Sequence, residues 1–312
     1  MIPSNRLPTF TAICLAMLAP SVVALAGCGA VESREPTAAS AEGEAATPSP
    51  QRSRGGRQAD PGLLCKPGMT DTSVTFDDLF REHGVEGSLL IYDQSGQRCY
   101  QHEGGLNRQS YAPASTFKIF NALVALETGT VADEHETFTW DGVERTYDKW
   151  NQDLDLERAV RFSAVWVFQE IAGRVGRDTM QGYLDRANYG NRRIGDDVTT
   201  FWLDGSLRVT PEQQVKLLKR LAEGSLPFSE RSQEIVRRIL VVEETEEYVL
   251  RAKTGWATRL EGEPDVGWWV GYLSRADERY FFATRIDLPS DDLAPARIEL
   301  TRGALERLGL LP

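Results

Sequence analysis

Residues 112–129 read APASTFKIFNALVALETG, and this stretch decides the fold. From Ser115 to Glu127 the apolar side chains of Phe117, Ile119, Phe120, Leu123, Val124 and Leu126 cover most of the helix circumference. Gly129 closes the helix, as a glycine just past a helix end commonly does. A helix apolar on every side offers no face to water, so it must lie at the centre of a domain. Upstream, Gly87 to Asp93 reads as a strand, Gln94-Ser95-Gly96-Gln97 as a turn and Arg98 to Gln101 as a returning strand. Downstream, helices are expected at Ser163–Val175, ending at Gly176, and at Arg177–Ala187. Thr210-Pro211-Glu212-Gln213 starts another, with Thr at the N-cap, Pro at the first helical position and Gln completing a capping box. That helix runs to about Ala222, and Ser229 begins one more. Strand character returns at Glu247–Lys253, Val266–Leu273 and Tyr280–Asp287, before a terminal helix at Ala294–Leu308. This order predicts an α/β (α+β) domain over residues 62–312: a central antiparallel sheet flanked by helices, with an all-helical subdomain inserted at about 132–240.

The chain has 312 residues, 41% hydrophobic and 26% charged, which is ordinary for a folded globular protein. Lys and Arg number 35 against 46 Asp and Glu, for a net charge of −11. An acidic chain repels phosphate backbones, which argues against nucleic acid as a partner. His83, His102 and His135 form no H-x-H or H-E-x-x-H pattern, and no C-x-x-C pair exists, so no metal is expected. A nucleophile in this chain must find a base other than imidazole.

Residues 1–27 have the layout of an export leader: Arg6, then a mostly apolar run from Phe10 to Ala26. The run ends in Leu25-Ala26-Gly27-Cys28, which resembles a bacterial lipoprotein processing site with Cys28 as the lipidated N-terminus. The alternative is an ordinary secretory signal cut nearby. Residues 28–61 are rich in Ala, Ser, Pro, Gly and Glu and cannot bury enough apolar surface to offset chain entropy. They read as a flexible tether, or as a ragged terminus if Cys28 carries no lipid. The expected location is periplasmic, with the membrane reached through the lipid at Cys28. Cys14 leaves with the leader and Cys28 takes lipid, so Cys65 and Cys99 remain, an even pair that an oxidising compartment would join. Loss of Arg6 takes the net charge from −11 to −12.

Within the buried helix, Ser115-Thr116-Phe117-Lys118 places a hydroxyl and an amine three positions apart on one face. The helix N-terminus adds a positive dipole and free N–H groups. A serine nucleophile with a lysine base needs this geometry, provided burial lowers the lysine pKa. Alone, S-x-x-K is weak, because chance supplies roughly one per chain of this size. A capping serine beside a solvated lysine would look the same, but the apolar helix disfavours solvation of Lys118. Lys253-Thr254-Gly255 is either an ordinary strand end or a place where a ligand approaches the backbone. Ser163-Ala164-Val165 opens a helix, where Ser163 is otherwise an N-cap. Tyr189-Gly190-Asn191 is otherwise a turn.

In this order, S-x-x-K at 115, S-x-V at 163, Y-G-N at 189 and K-T-G at 253 resemble the signature of the class D (oxacillinase-type) serine β-lactamases. Trp150 to Gln169, Phe201-Trp202-Leu203-Asp204-Gly205, Gly267-Trp268-Trp269-Val270-Gly271 and Pro295-Ala296-Arg297 look like family segments too, so the similarity spans about residues 63–311. The resemblance implies hydrolysis of the β-lactam ring of penicillin-type antibiotics through a Ser115 acyl-enzyme, conferring resistance. It implies that Lys118 is carboxylated by CO2 or bicarbonate and serves as general base, with no other cofactor. Trp202 would hold the carbamate through its indole N–H, and Val165 would keep the pocket apolar where sister classes place Asn. Ser163 would bridge Lys118 and Lys253 and relay a proton to the departing nitrogen. Backbone N–H groups of Ser115 and Trp256 would form the oxyanion hole. Thr254 and Arg297 would hold the substrate carboxylate, and Trp256 and Tyr189 would complete the substrate site, Tyr189 by shaping it.

Trp166, Trp268 and Trp269 are expected to pack rather than react, and Arg285 stands where many members carry Asn. The protein is expected to act as a monomer or homodimer. Two other readings share these motifs. A β-lactam receptor that stays acylated needs transmembrane helices, and no run after residue 27 approaches the 18 apolar residues of a span. A cell-wall transpeptidase or carboxypeptidase usually shows Ser-x-Asn where this chain has Ser163-Ala164-Val165.

Overall fold

The computed structural model describes residues 62–258, 260 and 262–312. The expected leader (1–27), the tether (28–61) and the lipidation site Cys28 lie outside the described residues.

Strands β1 (Gly87–Asp93) and β2 (Arg98–His102) form the expected hairpin, with Asp93 opposite Arg98 across the turn. A two-stranded ribbon follows, β3 (Thr137–Phe138) with β4 (Leu154–Asp155). The main sheet is completed by β5 (Val241–Glu244), β6 (Val249–Ala257), β7 (Val266–Arg275) and β8 (Glu278–Asp287). Its order is β2-β1-β8-β7-β6-β5, antiparallel throughout, so the first strand of the domain pairs with the last. β1 and β7 are buried along almost their whole length on both faces, which is why they read as unbroken apolar runs.

Two separate cores account for that burial. On one face lie α1 (Asp77–Glu82) and the terminal helix α8 (Ala296–Arg307), packed over Leu89, Ile91, Leu250, Trp269, Leu273 and Phe282. The other face carries α2 (Lys118–Glu127) and the helices of the inserted segment. These are α3 (Leu156–Arg161), α4 (Val165–Val175), α5 (Arg177–Ala187), α6 (Pro211–Ala222) and α7 (Glu230–Ile239). Nine of the ten residues of α2 are buried, as its sequence requires. Each fully buried Phe, Leu or Val contributes about 1.5–3 kcal/mol. The Thr210 capping box forms as expected, with Pro211 opening α6.

Several details differ from the sequence reading, first among them that the inserted segment is not all-helical: strands too short to show alternation form the β3–β4 ribbon within it. The nucleophile-bearing helix does not start as an α-helix: Ala114–Phe117 is a 3-10 turn, and α-helical geometry begins at Lys118. The sheet has an edge strand, β5, whose alternation is broken by a register shift between Val241 and Glu243. The terminal helix starts at Ala296 because Asp291–Leu293 forms a 3-10 turn of its own.

Cys65 and Cys99 are joined by a disulfide. It pins the segment before α1 along β2, where Cys99 N donates to Met69 O and Asp71 N to Cys99 O, each at 2.9 Å. The outer edge of β2 is thereby covered. Among the described residues no helix is long and apolar enough to cross a membrane.

Candidate active site

The 3-10 turn at the head of α2 sets the first pair. In that geometry positions i and i+3 eclipse one another, so Lys118 lies directly over Ser115, with Nζ 2.7 Å from Oγ. Lys118 is fully buried, and its ammonium-ward face meets the Phe168 ring, whose centre is 5.4 Å from Nζ. Burial, and then the nearby charge of Lys253, push the Lys118 amine well below its ordinary pKa. A neutral amine has a lone pair and can accept the Ser115 proton. The turn itself is bent: Ala114 has φ +47°, and its N–H donates to Trp202 O at 3.0 Å.

The second pair is built from two elements far apart in sequence. Lys253 Nζ, on β6, donates to Ser163 Oγ at 3.0 Å and to its neighbour Thr254 O at 3.0 Å. Ser163 is not the N-cap of α4. That place belongs to Ala164, and Ser163 sits before it at φ +58°, a conformation costing a non-glycine residue about 1–3 kcal/mol. The strain aims its hydroxyl at Lys253 instead of at the helix. Burial, and then the Arg297 charge, lower the Lys253 pKa to about 7.

Gly255 explains how these pieces meet. A Cβ there would stand 2.9 Å from Thr116 Cγ2, 3.0 Å from Pro113 O and 3.2 Å from Trp268 Cβ. Its missing side chain therefore lets β6 press against the Ser115 turn, and it is a protein segment, not a ligand, that uses the space. The free edge of β6 faces that turn. Ala252 N donates to Leu240 O on the β5 side, and the period-two alternation of a strand puts the N–H groups of Thr254 and Trp256 on the same side, beyond the end of β5.

Arg297, in the first turn of α8, carries the unused donors. Its Nε and Nη1 are buried without a hydrogen-bond partner, and its guanidinium carbon lies 5.9 Å from the centre of the Trp256 ring. Burial lowers its pKa to about 10, partly offset by Tyr147, so it remains a cation near neutrality. Two indole N–H groups, of Trp202 and Trp256, are also buried and unpartnered. Val165 begins α4, half-buried, two residues after Ser163.

Tyr189 stands apart from the substrate-binding group in which the sequence reading placed it. It is 2% exposed and stacks on Phe120 at 4.9 Å, and its hydroxyl faces Gln214 Oε1 at 3.4 Å, behind the nucleophile helix. It acts on the site through α2. Trp268, Trp269 and Trp166 are buried, with Trp268 Nε1 donating to Ala112 O at 3.0 Å and Trp166 Nε1 to Trp150 O at 3.1 Å. Arg285, unexplained by sequence, lies buried over the Tyr111 ring at 4.1 Å and pairs with Asp287. Together, a serine beside a buried amine of lowered pKa, a second serine–lysine pair and a guanidinium with free donors suit acyl transfer from a small carboxylate-bearing substrate. Among the described residues no group of three or more His, Cys, Asp or Glu could hold a metal ion.

Comparison with known proteins gives that geometry a family. Residues 89–300 match the penicillin-binding protein transpeptidase domain. The chain is 39% identical over 233 residues to β-lactamase OXA-48 of Klebsiella pneumoniae, covering 75% of this chain and 87% of that protein. It is 40% identical over 240 residues to β-lactamase OXA-5 of Pseudomonas aeruginosa, covering 77% and 90%. The crystal structure of a class D β-lactamase from Nostoc superposes with a TM-score of 0.74 at 46% identity, covering 76% of this chain and all of that one. The chain belongs to the class D β-lactamases. The fold is theirs, and the enzyme is a serine β-lactamase, which sets aside the receptor and transpeptidase readings.

Some residues that build this class D site escaped the sequence reading. Gln214 touches the machinery without belonging to a motif, while Thr116 and Phe168 lie within quoted segments at positions to which no role was given. Gln214 did leave a signal: it occupies the apolar stripe of α6 with Leu217, Leu218 and Leu221, where a polar side chain needs a buried partner.

Proposed function

We propose that the enzyme hydrolyses penicillin-type β-lactams through an acyl-enzyme on Ser115, with Lys118 carboxylated, and so protects a bacterium against these antibiotics. The observation that carries the reading is the buried, unpartnered indole N–H of Trp202, together with a fully buried Lys118 whose pKa burial drives well below its ordinary value. Trp202 touches the same turn, stacking on Phe117 at 5.2 Å, so an acceptor on Lys118 would find a donor waiting. Only an uncharged amine combines with CO2, and burial shifts Lys118 toward that state. Val165 and Phe168 would keep water from the group, and Trp202 would hold it. When present, the carbamate supplies a general base for acylation and deacylation.

The chain's own residues do the rest. Ser115 attacks the ring carbonyl, and the Ser115 and Trp256 N–H groups receive the oxyanion, each such donor contributing about 3 kcal/mol. Lys253, a cation below about pH 7, passes a proton through Ser163 to the departing nitrogen. Arg297 Nε and Nη1, with Thr254, take the substrate carboxylate in a fork that a lysine could not offer. CO2 or bicarbonate is the only additive required, and neither metal nor nucleic acid takes part. We place the protein in the periplasm, exported by its leader and held by lipid at Cys28.

The test is hydrolysis of a chromogenic cephalosporin and of benzylpenicillin, with and without added bicarbonate. Both should be turned over, faster with bicarbonate, and Lys118→Ala should accumulate the acyl-enzyme. Persistent turnover by that variant, or stoichiometric acylation of the parent without turnover, refutes the mechanism. Cys28→Ala should release the protein from membranes; unchanged partition refutes the anchor.

A further inference from the structure

Behind Ser115, away from the cleft, a chain of buried hydrogen bonds runs in one direction. The Thr116 hydroxyl donates to Pro113 O at 2.7 Å, and Thr116 N donates to the same oxygen at 3.1 Å. Gln214 Nε2, from α6, donates to Thr116 Oγ1 at 2.7 Å. The Tyr189 hydroxyl completes the line on Gln214 Oε1 at 3.4 Å. Thr116 and Gln214 are fully buried and Tyr189 nearly so.

The polarity of the chain follows from its last link. Thr116 has committed its single proton to Pro113 O, so its oxygen can only accept. Of the two ends of the Gln214 amide only the NH2 can serve it, and the Tyr189 hydroxyl also lies within hydrogen-bond reach of Thr116. Gln214 Oε1 is then left facing Tyr189. Aligned bonds of this kind polarise one another in a low-dielectric interior, and breaking one weakens the rest.

Thr116 is also gripped from the opposite side. Its Cγ2 is the nearest atom to the empty Cβ position of Gly255, so β6 and α6 press on the same residue. Between Pro113 and Thr116 lie Ala114, bent to φ +47°, and Ser115. A bent turn keeps its shape only if its surroundings over-determine it. We propose that Gln214 is a positioning residue for Ser115: through the Thr116 hydroxyl it fixes the Pro113–Ser115 bend, and with it the 2.7 Å approach of Ser115 Oγ to Lys118 Nζ and the aim of the Ser115 N–H. Gln214 touches no reacting atom. The inference rests on Ser115 being the nucleophile.

The experiment is pre-steady-state acylation by a chromogenic cephalosporin, read as separate binding and acylation constants. Mass spectrometry of the trapped acyl-peptide of the parent comes first. Label on Ser115 confirms the nucleophile, whereas label elsewhere overturns that assignment and the positioning role together. With Ser115 labelled, Gln214→Leu should slow acylation by roughly 10–100-fold with binding little changed, as expected for a misplaced reacting group. Thr116→Val should slow it equally, the double variant should be no slower than the slower single, and Thr116→Ser should restore a near-parental rate. Gln214→Glu keeps the side chain's size and guards against a variant that fails to fold. Its carboxyl can donate to Thr116 only when protonated, so its acylation should fall with rising pH well below the limb near pH 7 at which the parent's own acylation falls. Parental acylation by Gln214→Leu, losses that multiply in the double variant, or a pH profile of Gln214→Glu that follows the parent's would each overturn the proposal.

Discussion

Gly255→Ala sets backbone propensity against packing, and the two predict opposite signs. Gly255 lies in the interior of β6 with no left-handed backbone, so alanine fits its conformation and by propensity should stabilise the strand by about 0.5–1 kcal/mol. The new methyl, however, would stand 2.9 Å from Thr116 Cγ2, 3.0 Å from Pro113 O and 3.2 Å from Trp268 Cβ. Carbon atoms rest about 3.5–4.0 Å apart, so the strand and the Ser115 turn must separate by roughly 0.5–1 Å. None of the three neighbours is the end of a mobile side chain. Pro113 O already accepts two bonds from Thr116, and Trp268 is tied to Ala112 O. Overpacking of this kind costs about 1–3 kcal/mol, which exceeds the propensity gain. The same separation pulls the Trp256 N–H away from Ser115, and a 1 Å misplacement can cost about 10²-fold in rate. The variant should therefore lose about 1–2 kcal/mol in urea unfolding and on the order of tenfold or more in kcat. If it unfolds at or above the parental midpoint and turns over at the parental rate, β6 does not clamp the turn and the reasoning fails.

The pH dependence has a defined sign. The folded protein releases the Lys253 proton near pH 7 against an ordinary 10.5, so between those values it binds fewer protons than the unfolded chain and its stability rises with pH. Activity should move oppositely, with kcat/KM falling above about pH 7 as the cation is lost. Arg297→Ala, removing a charge that depresses Lys253, should shift this limb to higher pH while lowering kcat/KM; a limb that stays put assigns it to another group. The Cys65–Cys99 bridge spans 34 residues, for which chain entropy gives about 4 kcal/mol. Reduction, or Cys65→Ser with Cys99→Ser, should lower Tm by roughly 10 °C with activity at 25 °C retained, and an unchanged Tm would show that hydrogen bonds alone hold the segment.

Much of this was legible in the sequence, because burial and caps leave periodic marks. The apolar circumference of α2, the capping box at Thr210 and the unbroken run of β7 appear where the chain predicts them. What sequence obscures is conformation set by distant partners. Ser163 looks like an N-cap because serine preceding a helix usually is one; only the position of Lys253, 90 residues on, explains its left-handed backbone. Gly255 reads as a gap for ligand until the Ser115 turn is seen filling it. Arg285 finds its ion-pair partner Asp287 two residues along β8, but the Tyr111 ring it lies over comes from a distant segment that sequence does not bring near it. The short β5, broken by its bulge, carries too little alternation to announce itself.

The two left-handed residues flanking the cleft, Ala114 and Ser163, bear on how such an enzyme can change over generations. Each is a place where glycine would relieve the backbone, and together they are a reserve of stability the protein leaves unclaimed. A population selected only for heat tolerance would find these substitutions, yet glycine at 114 would loosen the turn that holds the Ser115 hydroxyl and glycine at 163 would remove the Ser163 hydroxyl altogether. Selection by antibiotic closes that route, so stabilising changes must accumulate elsewhere, on loops and surface helices.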